Sequence, residues 1–483
     1  MSIYGFGGII TKTINFLLLP IYTRILVPAD YGTLELVYMI GSLIAILYGF
    51  MISSGYIREY YVSKDEHDRQ VLLSSTFWFT FINTMIFLLL IFVFARELSH
   101  LLFKFENGEL FLKLLTISTA IHAHSIIFYN LLMVREKSRK YITIQIISLL
   151  LTIGLTIYFI VFLRWAVKGV LIAQLIGRSV EFLILSILLL RVSIKQISLS
   201  AIKEMLKYSI PLIPLQMAAF VLNLSDRFFL QEYQNLNEVG LYSMGYKFAS
   251  LVPLLAIIPL RAYGPYIFSL TDNTKKCKKT IADFSRYYVA GILIITLVVS
   301  MFSREVIMIM ADKSYYSGWT VVYLLSLSYV FYGTSNVFSV GIDIVKKTWL
   351  KALFWIFAAL VNIGLNFLLI PYYGMIGASI ATSISYLLVI ILYLISLKYV
   401  YPIEFQYTKF ILITVFTSLT YIISICLNFT LILAIISKFS LLLIFLTILF
   451  VSGYFTKDEL KKGKRVIFNA KRKISFLLNF QRA

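Results

Sequence analysis

The chain reads as a series of apolar runs separated by short polar, cation-rich breaks. A helix needs about 20 predominantly apolar residues to cross a bilayer, and fourteen runs qualify. In the first half they are Ile3 to Ile25, Gly32 to Ile57, Val71 to Phe94, Leu110 to Val134, Tyr141 to Leu163 and Val167 to Leu190. After a basic stretch come Tyr208 to Leu230, Val239 to Phe268, Phe284 to Met310, Trp319 to Ile342, Leu350 to Tyr372 and Gly374 to Leu397. Two more, Phe410 to Leu427 and Leu431 to Tyr454, precede a basic tail. The pattern predicts an all-α polytopic membrane protein of about 14 helices.

Charge placement tests this map. If the first loop is external, the cytoplasmic segments carry clusters such as Arg135, Lys137, Arg139 and Lys140, and Lys275, Lys276, Lys278 and Lys279. The external segments hold only Arg24, Arg96, Lys104, Lys113, Arg164, Lys168, Arg304 and Lys313. This bias orients a membrane protein with its basic loops inside. It predicts a bacterial inner-membrane protein with both termini cytoplasmic.

Composition agrees. Of 483 residues, 60% are hydrophobic and 14% charged, and the mean hydropathy is +0.87. No soluble fold of this length hides that much apolar surface. The net charge of +21 therefore reads as topology rather than nucleic-acid binding. The apolar run beginning near Met1 lacks a small-residue cleavage site and reads as a retained span. In the tail, Ile467, Ala470, Ile474, Leu477 and Leu478 form an apolar stripe suited to an anionic lipid surface.

Two six-helix units emerge, 1–190 and 208–397, joined by a cytoplasmic linker at 191–207. Two extra helices (398–454) and the tail (455–483) follow. The halves echo each other: Arg24 precedes Tyr31-Gly32 as Arg227 precedes Val239-Gly240, Ile153-Gly154-Leu155 matches Ile363-Gly364-Leu365, and Gly169 to Ala173 matches Gly377 to Ala381. An even number of spans per repeat gives both halves the same orientation. They are then related by a pseudo-two-fold along the membrane normal, with a site near the midplane between them and alternating access as mechanism.

Soluble-type chemistry finds little support. Cys277 and Cys426 fall toward opposite faces, the four histidines form no metal pattern, and no phosphate-binding glycine loop occurs. The expectation is a transporter without catalytic residues, metal or cofactor. A membrane-embedded polysaccharide polymerase or transferase would need acidic or histidine chemistry on a sizeable external loop. The external loops are short, although Glu97, Glu106 and Glu109 cluster there.

Cations inside apolar spans cost at least about 2.5–3.5 kcal/mol on insertion scales, so they face protein, water or a partner. Lys12, Arg24, Arg227, Lys247 and Arg261 all lie on the first two spans of the two halves. They are the candidate substrate-binding residues, because a wet, basic cleft is what a phosphate-bearing headgroup needs. Arg227 has the alternatives of pairing with Asp226 or snorkelling outward, and snorkelling is also open to Arg24. Arg178 and Glu181, three residues apart, read as a structural ion pair. Lys438 answers to lipid or packing. Glu35, Glu181 and Asp226 are candidates for ion coupling, and His122 and His124 read as core histidines. Pro20, Pro211, Pro214, Pro253, Pro259 and Pro265 interrupt helices beside the expected cleft.

The motifs Pro20-Ile21-Tyr22-Thr23-Arg24-Ile25-Leu26 with Tyr31-Gly32, Pro211-Leu212-Ile213-Pro214 running to Asp226-Arg227, and Val361-Asn362-Ile363-Gly364-Leu365-Asn366 with Ile370-Pro371, Gly374 and Gly377-Ala378 resemble Wzx-type polysaccharide flippases. These belong to the multidrug/oligosaccharidyl-lipid/polysaccharide (MOP) superfamily. The resemblance covers almost the whole chain. It implies export of undecaprenyl-pyrophosphate-linked oligosaccharide repeat units, of the O-antigen, lipopolysaccharide or capsule kind, from the inner to the outer leaflet. Membrane lipids, glycosyltransferases and a polysaccharide polymerase would be its partners. A peptidoglycan-precursor flippase is a near alternative. A multidrug cation antiporter of the same fold is another, although it calls for acidic rather than basic residues around the cleft. Outward movement of negative charge is favoured by about 2.3 kcal/mol per charge per 100 mV, so membrane potential, a proton or a sodium ion is the expected driving force.

Overall fold

The computed structural model describes residues 16, 18–105, 107–188, 196–427, 431–452 and 454. Lys12, Glu106 and the tail stripe lie outside them, as does most of the first predicted span; its end is helix α1 (Leu19–Ile25). The described chain is helical throughout. In the first half follow α2 (Pro28–Gly49), α3 (Ile52–Val62), α4 (Glu66–Val93), α5 (Ala95–Leu102), α6 (Gly108–Val134), α7 (Ser138–Ile157) and α8 (Ala166–Leu188). After α9 (Leu199–Ser209), the second half runs through α10 (Ile213–Leu224), α11 (Asp226–Tyr233), α12 (Leu236–Ala249), α13 (Leu251–Phe268), α14 (Thr274–Met310), α15 (Val322–Ile344) and α16 (Trp349–Val400). The last two are α17 (Tyr407–Cys426) and α18 (Leu431–Val451).

Twelve stretches of the described residues are long and apolar enough to span a membrane. One of them, α16, has 52 residues, a helical length of roughly 78 Å at 1.5 Å per residue, more than twice the hydrocarbon thickness. Gly374, at φ +51° and ψ −132°, divides it into the two predicted spans. Divided there, the twelve stretches correspond to thirteen of the fourteen predicted crossings, and the first lies mostly outside the described residues. The kink is held by polar groups: Gln234 Nε2 donates to the carbonyls of Ile370 and Pro371 at 3.0 and 3.2 Å, and the Met375 amide donates to Glu238 Oε2. A Cβ on Gly374 would stand 3.2 Å from Glu238 Oε2, at a φ that side chains rarely adopt.

Other boundaries move. The predicted second span ends early, because Phe50 and Met51 take left-handed conformations and separate α2 from α3. The carbonyls of Leu47 and Tyr48 accept hydrogen bonds from Asn83 Nδ2 at 2.6 and 2.8 Å, which satisfies a helix end inside apolar surroundings. The basic linker is partly helical. Its helix α9 is capped by Ser198 and packs on α3 and α4, with the Gly55 amide donating to Ser209 Oγ. Pro20, Pro211 and Pro214 sit in first helical turns, where proline is tolerated; Pro259 and Pro265 are interior to α13.

The two halves meet along α2 and α12. A Cβ on Gly32 would lie 2.2 Å from the Leu236 carbonyl oxygen, and one on Gly240 would lie 1.9 Å from that of Pro28. The contact is reciprocal, since Leu236 and Gly240 each follow their first-half counterparts by 208 positions. Such reciprocity is what a two-fold axis between the helices requires. Beside it, Tyr315 Oη donates to the Leu26 carbonyl at 2.9 Å and Arg24 Nη2 to that of Ile309 at 3.1 Å.

The trailing helices pack on the second half. Tyr421 of α17 stacks on Tyr323, with ring centroids 4.1 Å apart. Lys438 of α18 is buried, not lipid-facing, and donates to Glu305 Oε1 and to the Met301 carbonyl, both at 2.6 Å.

Replacing Gly240 with Val is expected to force α2 and α12 apart. Overpacking a tight contact costs about 1–3 kcal/mol, so the variant should melt lower in detergent than wild-type protein by intrinsic fluorescence.

Candidate functional site

Glu35 of α2 carries the only carboxylate from the first half that meets cations of the second half among the described residues. Its Oε1 lies 3.2 Å from Lys247 Nζ on α12, and its Oε2 lies 3.7 Å from Arg227 Nε on α11. Arg227 is 1% exposed. Its guanidinium lies 4.6 Å from the centre of the Tyr246 ring, and Nη1 donates to the Asn223 carbonyl at 3.0 Å. It neither snorkels nor pairs with its neighbour Asp226.

Asp226, fully buried, has other partners. Tyr242 Oη donates to Oδ2, as does Thr382 Oγ1 at 2.9 Å, and Asn366 Nδ2 donates to Oδ1 at 2.9 Å. Asn366 Nδ2 also donates to Asn362 Oδ1 at 3.1 Å. Asn366 and Thr382 lie on opposite limbs of α16, so the bend at Gly374 wraps that helix around the carboxylate. Asn362, Asn366 and Thr382 were not singled out as site residues from sequence. Two asparagines four residues apart on an apolar helix were the available signal.

Two cavities flank this centre. The larger, about 710 Å³, lies mostly in the second half. Leu251, Leu254, Ile257 and Leu260 of α13 give it an aliphatic wall, and Lys247, Arg261, Asn223 and Asn336 supply polar groups. Among the described residues, no carboxylate lines it. The second, about 420 Å³, lies in the first half among α1, α2, α6, α7 and α8, and is lined by Glu35, His122, Arg178 and Glu181 with many neutral polar groups. Lys247 lines both.

Of the five cations singled out from sequence, Lys247 and Arg261 thus face a cavity. Arg24 is exposed at the Ile309 carbonyl, Arg227 is locked behind Glu35, and Lys12 lies outside the described residues. Arg178 and Glu181 do not form the expected pair. Arg178 Nη1 donates to Ser118 Oγ at 3.2 Å, while Glu181 Oε2 accepts from Ser148 Oγ at 2.9 Å and Oε1 lies 4.0 Å from His122 Nδ1. His124 is a core residue, its Nδ1 2.8 Å from the Ala120 carbonyl and its ring among Phe77, Phe81 and Phe182. Cys277 and Cys426 are free thiols.

Comparison with known proteins fixes the class. The sequence matches the polysaccharide biosynthesis protein family over residues 1–271. This chain belongs to that family. No curated protein is matched. In structure it is similar to the lipid II flippase MurJ in an inward closed conformation, with a TM-score of 0.76, 16% identity, and coverage of 94% of this chain and 99% of that one. An inward-facing multidrug resistance MATE family transporter of the MOP superfamily gives a TM-score of 0.68 at 15% identity, covering 80% of this chain and 94% of that chain. An outward-facing form gives 0.55 at 15% identity, covering 82% and 94%. The protein is therefore a multi-pass membrane protein that shares the fold of these flippase and transporter structures.

Replacing Glu35 with Gln leaves Arg227 buried without its counter-charge. Breaking one partner out of a buried pair costs about 3–5 kcal/mol. The variant should melt markedly lower in detergent by intrinsic fluorescence, and adding Arg227→Met should restore most of the loss.

Proposed function

We propose that the protein flips an undecaprenyl-pyrophosphate-linked oligosaccharide from the inner to the outer leaflet by alternating access, in the service of surface-polysaccharide assembly. The observation that carries this reading is the larger cavity, in which Lys247 and Arg261 face an aliphatic wall and, among the described residues, no acidic side chain joins the lining. A pyrophosphate pays a prohibitive desolvation cost in bare hydrocarbon. Two cations in a recess contiguous with apolar side chains offset that cost, and Arg261 is able to grip phosphate oxygens in a bidentate fork. An exported organic cation would be repelled by the same pair, which argues against multidrug antiport. The reading needs binding and relocation only and no bond-making step, so it assigns no catalytic residue.

Sidedness follows from the basic loops. The reciprocal glycine contact, the Arg24 bond and the Tyr315 bond all belong to the end that the charge bias makes external. A closed external end would direct the pyrophosphate path toward the cytoplasm. Separation of α2 from α12 would then release Lys247 from Glu35 and expose the headgroup to the outer leaflet.

For the driving force we propose ion coupling at Asp226. Among the described residues its carboxylate accepts hydrogen bonds only from the neutral groups of Tyr242, Thr382 and Asn366, so a proton or a sodium ion is the charge that would balance it inside the membrane. Occupancy there would alter how α16 packs against α11 and α12, the two helices that supply Arg227 and Lys247.

In proteoliposomes loaded with a fluorescent undecaprenyl-pyrophosphate oligosaccharide, Arg261→Ala and Lys247→Ala should each slow flipping by about tenfold or more, the equivalent of one lost charge-assisted contact. Arg261→Lys should recover much of the rate, and unchanged flipping in both alanine variants would overturn the reading. Asp226→Asn should leave a basal rate that no longer responds to an imposed proton or sodium gradient.

A further inference from the structure

The two cavities differ in chemistry, and the larger one accounts only for a phosphate and a lipid. The first-half cavity brings together two carboxylates, Glu35 and Glu181, and two cations, Arg178 and Lys247, so its formal charge is balanced. Neutral hydrogen-bonding groups make up much of the rest: the amides of Gln145 and Gln174 and the hydroxyls of Ser148, Thr152 and Thr156. Tyr22 and Tyr38 add aromatic faces. Gln174 Oε1 and His122 Nδ1 are buried and accept or donate no hydrogen bond within the described residues. Unpaired buried polar atoms are costly, and here they border a cavity of about 420 Å³, within the roughly 300–1,000 Å³ typical of small-ligand sites.

We infer that this first-half cavity is a glycan-binding subsite, taking the sugar residues next to the pyrophosphate while the phosphate itself sits at Lys247 and Arg261. The inference rests on the flippase reading above and extends it to the part of the substrate that distinguishes one polysaccharide from another. A wall of amides and hydroxyls, with two carboxylates balanced by two cations, matches a ligand that presents many hydroxyls and little charge. An isolated anion would find Glu35 and Glu181 in its way. Lys247, common to both linings, sits where a pyrophosphate would join the two parts. Sites built to hydrogen-bond a ligand discriminate strongly against analogues that lack those groups. The linings therefore divide the work: affinity for the carrier from the second half, choice of sugar from the first.

The test is binding to the full-length protein in nanodiscs, measured with two probes: bare undecaprenyl pyrophosphate, and the undecaprenyl-pyrophosphate oligosaccharide extracted from the cell that makes the protein. Wild-type protein should bind the glycosylated lipid about tenfold more tightly than the bare one, as two or more added hydrogen bonds imply. Gln145→Met with Gln174→Met, which keeps side-chain size, should erase that preference and leave affinity for the bare lipid within about twofold. Glu181→Gln, tested alone, should lower the preference without loss of bare-lipid binding, so the outcome does not depend on one variant folding. Arg261→Ala should weaken both probes alike. Equal wild-type affinity for the two probes, or a preference that survives in the double and Glu181 variants, would overturn the glycan subsite while leaving the flippase reading in place. Failure of wild-type protein to bind either probe would instead sink the flippase reading itself.

Discussion

The shared carboxylate of Glu35 is the interaction on which this arrangement depends. It lies on the first half, and both of its cationic partners lie on the second. In an apolar surround, a buried guanidinium such as that of Arg227 is tolerable only beside an opposite charge. The two partners are not equivalent. Arg227 has 2% of its side chain exposed and also stacks on Tyr246, whereas Lys247 has 43% exposed. Lys247 can leave the carboxylate for water or phosphate at modest cost, and Arg227 cannot. One acid thus links the halves through a fixed cation and a releasable one. The releasable cation is the one that faces both cavities.

That ion pair forms because the backbones come close enough. Gly32 and Gly240 let α2 and α12 approach until side-chain carbon would collide with the opposing carbonyls. Glu35 lies one turn beyond Gly32, and Lys247 two turns beyond Gly240. The glycines were visible in the sequence as a repeat, and their spacing of 208 positions recurs in the Pro28 and Leu236 contacts. Duplication explains the reciprocity: at a two-fold axis, each half meets the equivalent part of its partner.

Hydropathy made the helices legible because lipid imposes a length and a composition on every crossing. The bend at Gly374 was readable as a break between runs, since Pro371 and glycine stand together there. The break at Phe50 and Met51 was not, because neither residue type advertises a left-handed backbone, and Asn83, which satisfies the freed carbonyls, lies more than thirty positions away. Partner choice was the least legible feature. Asp226 and Arg227 are adjacent, and neighbours on a helix point about 100° apart, so they do not face each other. Arg178 and Glu181 do share a face, yet Ser118 and Ser148 on neighbouring helices offer each a hydrogen bond. Local spacing cannot report partners that arrive from 33 or 60 positions away.

Symmetry of the backbone and asymmetry of the chemistry are separable in this protein, and function needs both. At the 208-residue offset, Glu35 corresponds to Ser243 and Lys247 to Met39. Neither Glu35 nor Lys247 thus has a charged twin. A strictly symmetric interior would present the same lining to both ends of a substrate. A lipid-linked sugar has unlike ends: a chain that belongs in lipid, an anion, and a hydroxylated headgroup. Divergence of the duplicated halves gives one cavity an aliphatic wall with two cations and the other a charge-balanced set of amides and hydroxyls. On the flippase reading proposed above, the two-fold frame would let the halves rock as similar bodies, and the broken chemical symmetry would suit a substrate with a head and a tail.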